Sequence, residues 1–239
     1  MNKVIFKDIG KMSYQAAWDY QTELHNEVKS AKLARRDWSE KDRAEAEKKN
    51  YLVFCEHPPV YTLGKSGSMT NLLLNENGLK EKEIEFFKIN RGGDITFHGP
   101  GQIVGYPIFD LDEFFNDLHK YVRFIEEAII RTLADFGVNG GREQGFTGVW
   151  LPATDTKPKR KICAIGVHVS RWVTLHGFAF NVNTDLNYFK YIVPCGIDDA
   201  DKEVTSLEAE IGKTVDLNKV KICLKKHFSE LFEFEYVSQ

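Results

Sequence analysis

The chain lacks several features that would settle its class at once. No run approaches the about 18 consecutive apolar residues that a membrane-spanning helix requires, so insertion into a bilayer as a helix is excluded. Charge of one sign is also missing: 32 Lys and Arg against 35 Asp and Glu leave a net charge of −3. No domain-sized basic bias is present, and nucleic acid is not an expected partner. Cysteine is scarce, and Cys55, Cys163, Cys195 and Cys223 form no C-x-x-C pair, which excludes a sequence-local zinc site or redox dithiol. The opening "MNKVIFKDIGKMSY" has neither the apolar core of a signal peptide nor the acid-free amphipathic pattern of a transit sequence. A cytoplasmic location is the expectation. Hydrophobic residues at 42% and charged residues at 28% fit an ordinary globular protein rather than a disordered or fibrous one.

What is present alternates between two periods. Ser13 caps a predicted helix whose positions Tyr14, Ala17, Trp18, Leu24 and Val28 keep helical spacing, with Gln21 as a polar exception on the same face. From Lys29 to Lys49 mixed charges dominate, and that segment reads as an exposed helical extension or loop. Short β-rich runs follow between turn signals: "YLVFC", "VYTLG", "IEFFKIN", "IVGYPIF" and "GFTGVWL". "KICAIGVHVSRWVTL" and "HGFAFNV" read as two further strands of a hairpin-rich segment. Helices are predicted from Asn116 to Phe136 and from about Asp216 to Phe232. Too few helices separate the strands for a regular βαβ succession, so a mixed α/β (α+β) domain with a largely antiparallel sheet is predicted.

The densest chemistry lies in "RGGDITFHGPGQ", Arg91 to Gln102, which holds four of the chain's 18 glycines around one histidine. A phosphate loop fails on spacing. "PVYTLGKS" has Gly64, Lys65 and Ser66 but Pro59 where a Walker loop needs its first glycine, and the Arg91 stretch has no G-x-G-x-x-G order. A metal centre fails as well, because His98 has no second ligand at helical or turn spacing. Two readings remain open from the residues alone: a groove where backbone lies close to a ligand, or a glycine-rich hairpin. Cys195, between Pro194 and Gly196, is either a thiol presented by a turn or a small buried apolar side chain. Lys161, at the head of an apolar strand, is either a solvated strand end or a placed cation.

Taken together, "RGGDITFHGPGQ", "KICAIGVHV", "HGFAFNVN" and "PCGI" followed by "VTSL" resemble, in order and spacing, the lipoyl(octanoyl) transferases of the biotin/lipoate protein ligase-like superfamily. The resemblance runs from about Tyr51 to Leu207. It implies a single catalytic domain over residues 1–239, with the ligase-like fold of a mixed, largely antiparallel sheet flanked by helices. It implies an acyltransferase that moves an octanoyl group from octanoyl-acyl carrier protein, through a cysteine thioester, to a lysine of a lipoyl domain. The acyl-thioester residue corresponds to Cys195 and the lysine that tunes it to Lys161. Substrate contacts correspond to Arg91, Gly92, Gly93, Asp94, Ile95, Thr96, Phe97 and His98, to Ala164, Ile165 and Gly166, and to Gly177, Phe178 and Ala179. Ala164 stands where relatives often carry serine, which removes a hydroxyl. Implied acceptors are lipoyl domains of 2-oxoacid dehydrogenase complexes and the glycine cleavage H protein. No cofactor, metal, nucleic acid or membrane is implied, and a monomer is expected.

The implied chemistry is consistent with elementary energetics. Thioester exchange is nearly isoenergetic and amide formation from a thioester is downhill, so no nucleotide is required. A free thiol has a pKa of about 8.5, and a neighbouring ammonium favours the thiolate. A neutral Lys161 can then accept a proton from the attacking amine, while His98 is expected as a hydrogen-bonding wall with a proton-relay role left open. Three rivals remain: an ATP-dependent ligase on the same fold, which needs no Cys195; a papain-like hydrolase pairing Cys195 with a histidine; and a catalytically silent binding domain. The loop "KPKRK", Lys157 to Lys161, is either a steering surface for an acidic partner or a solvated loop.

Overall fold

The computed structural model describes residues 1–39, 41, 42, 46, 48–194, 197 and 202–238. In chain order its elements are β1 (Asn2–Lys11), α1 (Tyr14–Ala34), β2 (Tyr51–Glu56), β3 (Val60–Leu63), α2 (Glu76–Glu81), β4 (Glu85–Lys88), β5 (Ile95–His98), β6 (Gln102–Ile108), α3 (Leu118–Asp135), β7 (Gly141–Glu143), β8 (Phe146–Leu151), β9 (Lys159–Ser170), β10 (Val173–Asn181), β11 (Lys202–Val204), α4 (Leu207–Ile211), α5 (Leu217–Phe232) and β12 (Phe234–Val237). The large sheet runs β12-β1-β2-β6-β10-β9-β8-β7, with β11 added beside the start of β9. Its joins from β2 through to β7 are antiparallel, while β1 runs parallel to both β2 and β12, and β11 parallel to β9. A small sheet, β4-β3-β5, stands beside it.

Strand alternation explains why helices cover both faces. In β2, Leu52 and Phe54 enter one core with Ile125, Ile129 and Leu133 of α3 and Leu224, Phe228 and Phe232 of α5. Tyr51, Val53 and Cys55 enter the opposite core with Ala17, Leu24 and Val28 of α1. Successive side chains of a strand point to opposite faces, so a strand buried along its whole length needs a layer on each side. All six residues of β2 are buried.

The helices predicted after Ser13 and from about Asp216 start there, and the one predicted from Asn116 starts two residues later, at Leu118. Ser13 accepts from Ala16 N at 3.4 Å, Asp117 from Lys120 N at 2.9 Å, and Asp216 from Asn218 N at 2.9 Å. Each satisfies an amide that the helix itself leaves unpaired. The helical extension after Lys29 continues to Ala34. One boundary differs from the sequence reading. The chain reverses at Arg171–Trp172, so Val173 to Leu175 belong to β10 rather than to the preceding strand. Both turn residues adopt positive φ, +54° and +64°, the geometry of a tight hairpin that Asn-Gly normally signals. No described helix is long and apolar enough to cross a membrane.

Candidate active site

The β9–β10 hairpin and the Arg91–Gly93 loop enclose a cavity of about 340 Å³. Of the residues expected to contact substrate, Arg91, Gly92, Gly93, Asp94, Ile95, Thr96 and His98 line it, as do Ala164, Ile165 and Gly166 on β9 and Gly177, Phe178 and Ala179 on β10. Lys161 and Pro194 line it too. Phe97 does not: its side chain, carried by β5 of the small sheet, is fully buried and stacks on Tyr188 with ring centroids 4.6 Å apart. Cys195 lies outside the described residues.

Close backbone approach explains part of the glycine content. Gly92 N donates to Val167 O at 3.0 Å, joining the loop to β9. A Cβ on Gly166 would sit 2.7 Å from Gly92 O, so a side chain there would push the wall away from the strand. Arg91 is buried and donates through Nη2 to Thr62 O at 2.7 Å and to Thr62 Oγ1 at 3.0 Å, and through Nη1 to Gly92 O at 3.0 Å. The glycines therefore let main chain pack on main chain, and the arginine ties the result to β3.

His98 sits in a network whose proton positions follow from two backbone carbonyls. A carbonyl only accepts, so Gln102 must direct Nε2 at Phe97 O (3.0 Å), and Asn181 must direct Nδ2 at Thr205 O (3.0 Å). Gln102 Nε2 also donates to Asn181 Oδ1 at 2.8 Å. Gln102 Oε1 is left to accept from His98 Nδ1 at 2.9 Å. The imidazole thus carries its proton on Nδ1, and its Nε2 accepts from the Thr62 hydroxyl at 3.3 Å. Burial, then the neighbouring His57, hold the His98 pKa well below its usual value, with Arg91 and His176 adding to the effect. Both ring nitrogens are thus engaged and the lowered pKa favours the neutral ring.

His176 follows a different logic. Its φ of +62° takes its amide off the strand ladder, and the N–H donates to Gln21 Oε1 at 3.1 Å. That bond satisfies the side-chain oxygen of the buried glutamine on the apolar face of α1. His176 Nε2 bonds Asn90 Oδ1 at 2.8 Å, while Nδ1 is buried with no hydrogen-bond partner among the described residues. Burial and the Arg91 charge bring its pKa down to about 3.

Lys161 is 9% exposed, and its Nζ lies 4.6 Å from the centroid of the Trp150 ring. Its carbonyl accepts from Thr205 N at 2.9 Å, and Thr205 Oγ1 donates to Glu210 Oε1 at 2.7 Å. Arg160 Nε bonds the same carboxylate at 2.8 Å. The segment that follows position 201 is thereby clamped to the strand carrying Lys161. Burial raises the pKa of the other three cysteines, Cys55, Cys163 and Cys223.

Sequence reasoning passed over Tyr14, Gln102, Asn181 and His176, all of which line the cavity. Gln102 and Asn181 lay inside the quoted motifs, and their polarity within buried strands was a usable signal. Tyr14 gave none, since a tyrosine at a helix start reads as core; here it stacks on His98 at 5.8 Å and 12°. No group of three or more metal-ligating side chains is assembled among the described residues.

The lipoyl protein ligase A/B catalytic domain matches residues 13–229 of the chain. An octanoyltransferase of Cytophaga hutchinsonii is 57% identical over 96% of this chain and 93% of its own length. Another, of Flavobacterium johnsoniae, is 54% identical over 99% of this chain and 100% of its own. Among solved structures, the bipartite lipoate protein ligase of Thermoplasma acidophilum aligns with a TM-score of 0.70 at 15% identity, covering 100% of this chain and 87% of that one. A lipoate-protein ligase A bound with ATP aligns with a TM-score of 0.66 at 15% identity, over 100% of this chain and 88% of that one. At such identities the structural likeness speaks for the fold.

Proposed function

The chain belongs to the lipoyl protein ligase A/B catalytic domain family, and from that premise we propose that it is an octanoyltransferase working through Cys195 and Lys161. The donor is octanoyl-acyl carrier protein and the acceptor a lysine of a lipoyl domain. The observation that carries the reading is the shared cavity: Lys161 and Pro194, the neighbour of Cys195, line the same space as the glycine wall and the β9–β10 floor.

In the first step the Cys195 thiolate attacks the donor thioester carbonyl. A sulfur–carbon bond forms, the bond to the carrier's sulfur breaks, and the carrier thiolate leaves. Lys161 as ammonium favours the attacking thiolate and then gives its proton to the departing carrier thiolate, which leaves the lysine neutral for the second step. In the second step the acceptor amine attacks the octanoyl-cysteine, the carbon–sulfur bond breaks as the amide forms, and neutral Lys161 accepts the amine proton. The apolar lining of Ile95, Val104, Ile165 and Phe178 suits the alkyl tail, each buried methylene of which contributes about 0.8 kcal/mol. Energy already stored in the thioester drives the sequence without a nucleotide. An ATP-dependent ligase on this fold would activate a free acid and would have no use for Cys195.

The test is to mix the protein with octanoyl-acyl carrier protein without ATP, quench in acid and map the adduct. A hydroxylamine-labile octanoyl increment is expected on the peptide containing Cys195, and its loss in Cys195→Ser. No adduct, or an equally labile adduct in the variant, would overturn the reading.

A further inference from the structure

Trp150 stands directly opposite Lys161 in the β8–β9 register. Directly opposed residues of antiparallel strands place their side chains on the same face. A β-bulge sets that pairing, because the register shifts between Val149 and Trp150. The extra residue is Ile162 on β9, because Val149 opposes Cys163 while Trp150, one step on, opposes Lys161 two steps back. A bulge re-aims the side chains beyond it, and here it lays the indole face under the Lys161 ammonium at 4.6 Å.

Two further facts separate this contact from ordinary packing. The indole Nε1 is buried with no hydrogen-bond partner among the described residues, a cost that phenylalanine or leucine at the same position would avoid. Trp150 also does not line the cavity, whereas Phe146, packed against it at 5.8 Å, does. The indole therefore touches the lysine without reaching the acyl chain.

We propose that Trp150 is a positioning residue for acyl transfer: its ring face fixes the Lys161 ammonium in place and favours the charged form that supports the Cys195 thiolate. The inference rests on the assignment of Lys161 above. An aromatic face attracts a cation through its quadrupole, most strongly for tryptophan and more weakly for phenylalanine, and the attraction grows where water is excluded. Leucine fills space and has no such face. The charged and titratable neighbours to be reckoned with are Glu126 and Cys163, which face the same strand region, Arg160 with Glu210 at its edge, and Lys202 and Glu203 of the adjoining β11, the Lys202 Nζ lying 5.2 Å from the Phe146 ring.

The experiment measures single-turnover octanoylation of Cys195 against pH in the full-length wild type, Trp150→Phe, Trp150→Leu and Lys161→Ala, together with thermal stability. Trp150→Phe is expected to be as stable as the wild type or more so, yet acylated about 2- to 10-fold more slowly. Trp150→Leu should lose more, with the alkaline limb of its profile moved down by up to about one pH unit and the KM for the donor unchanged. Wild-type rates and pH limbs in a folded Trp150→Phe would overturn the inference, as would a rise in KM alone; if Trp150→Leu does not fold, the phenylalanine variant decides. Lys161→Ala separates the two claims. If it is disabled while the Trp150 variants behave as wild type, only this inference falls; if it keeps full rate, the Lys161 assignment itself fails.

Discussion

His98 shows how a single side chain can be read from the groups around it. Its tautomer is dictated by Phe97 O and Thr205 O through Gln102 and Asn181, and its depressed pKa favours the neutral ring. Replacing it with glutamine is expected to lower the octanoylation rate by about 10-fold or more through misplacement of the wall, without moving either limb of the pH profile. A lost or displaced limb in that variant would support a proton-relay role. At this scale the sequence was informative where a residue type has few uses. Cys195 and Lys161 stood out through motif resemblance, and all but Phe97 of the residues expected to contact substrate line one cavity. Gln21 was visible only as an anomaly, since the distorted His176 backbone that satisfies its side-chain oxygen is set by distant packing.

The elements were legible where periodicity and caps agreed. Ser13, Asp117 and Asp216 each precede an apolar helical pattern, and all three cap a helix. The β9–β10 turn was missed because Arg171 and Trp172 carry none of the usual turn chemistry yet both adopt positive φ. Non-glycine residues in that region are strained by roughly 1–2 kcal/mol each. Replacing the pair with Asn-Gly is therefore expected to raise the melting temperature by several degrees, since about 1 kcal/mol shifts a domain of this size by roughly 2–4 °C, with octanoylation unchanged. An unaltered or lower melting temperature would show that the strain is offset elsewhere. The short strands β7, β11 and β12 left no sequence signal, because each is defined mainly by the neighbour it pairs with.

For the whole molecule, the sheet covered on both faces places a buried polar layer beside the cavity, and that layer makes stability depend on pH. His57, His98 and His176 all have folded pKa values below the usual histidine value. The unfolded chain therefore binds more protons than the native one once the pH falls below about 6.5. Stability is fully present above that value and is lost on acidification, at up to about 1.4 kcal/mol per pH unit for each ring that stays neutral. Denaturation midpoints measured from pH 7.5 down to 5 should fall below about 6.5, less steeply in His98→Gln; a flat profile would contradict the buried neutral histidines.

At the same scale, nearby carboxylates offset part of the positive charge of the loop Lys157 to Lys161. Lys157 and Arg160 face Glu210, Lys159 faces Glu143, and Lys161 lies against Trp150. Alanine at Lys157 and Lys159 should leave the salt dependence of donor acylation unchanged, and a flattened dependence would assign the loop a docking role. The central claim is that one thiol carries the octanoyl group between two proteins. Its most direct test is to isolate the octanoylated enzyme, free of donor and nucleotide, and add an unmodified lipoyl domain. The account predicts stoichiometric transfer to the acceptor lysine as an amide, with the Cys195 thiol regenerated; release of free octanoate, or an adduct that persists until ATP is supplied, would contradict it.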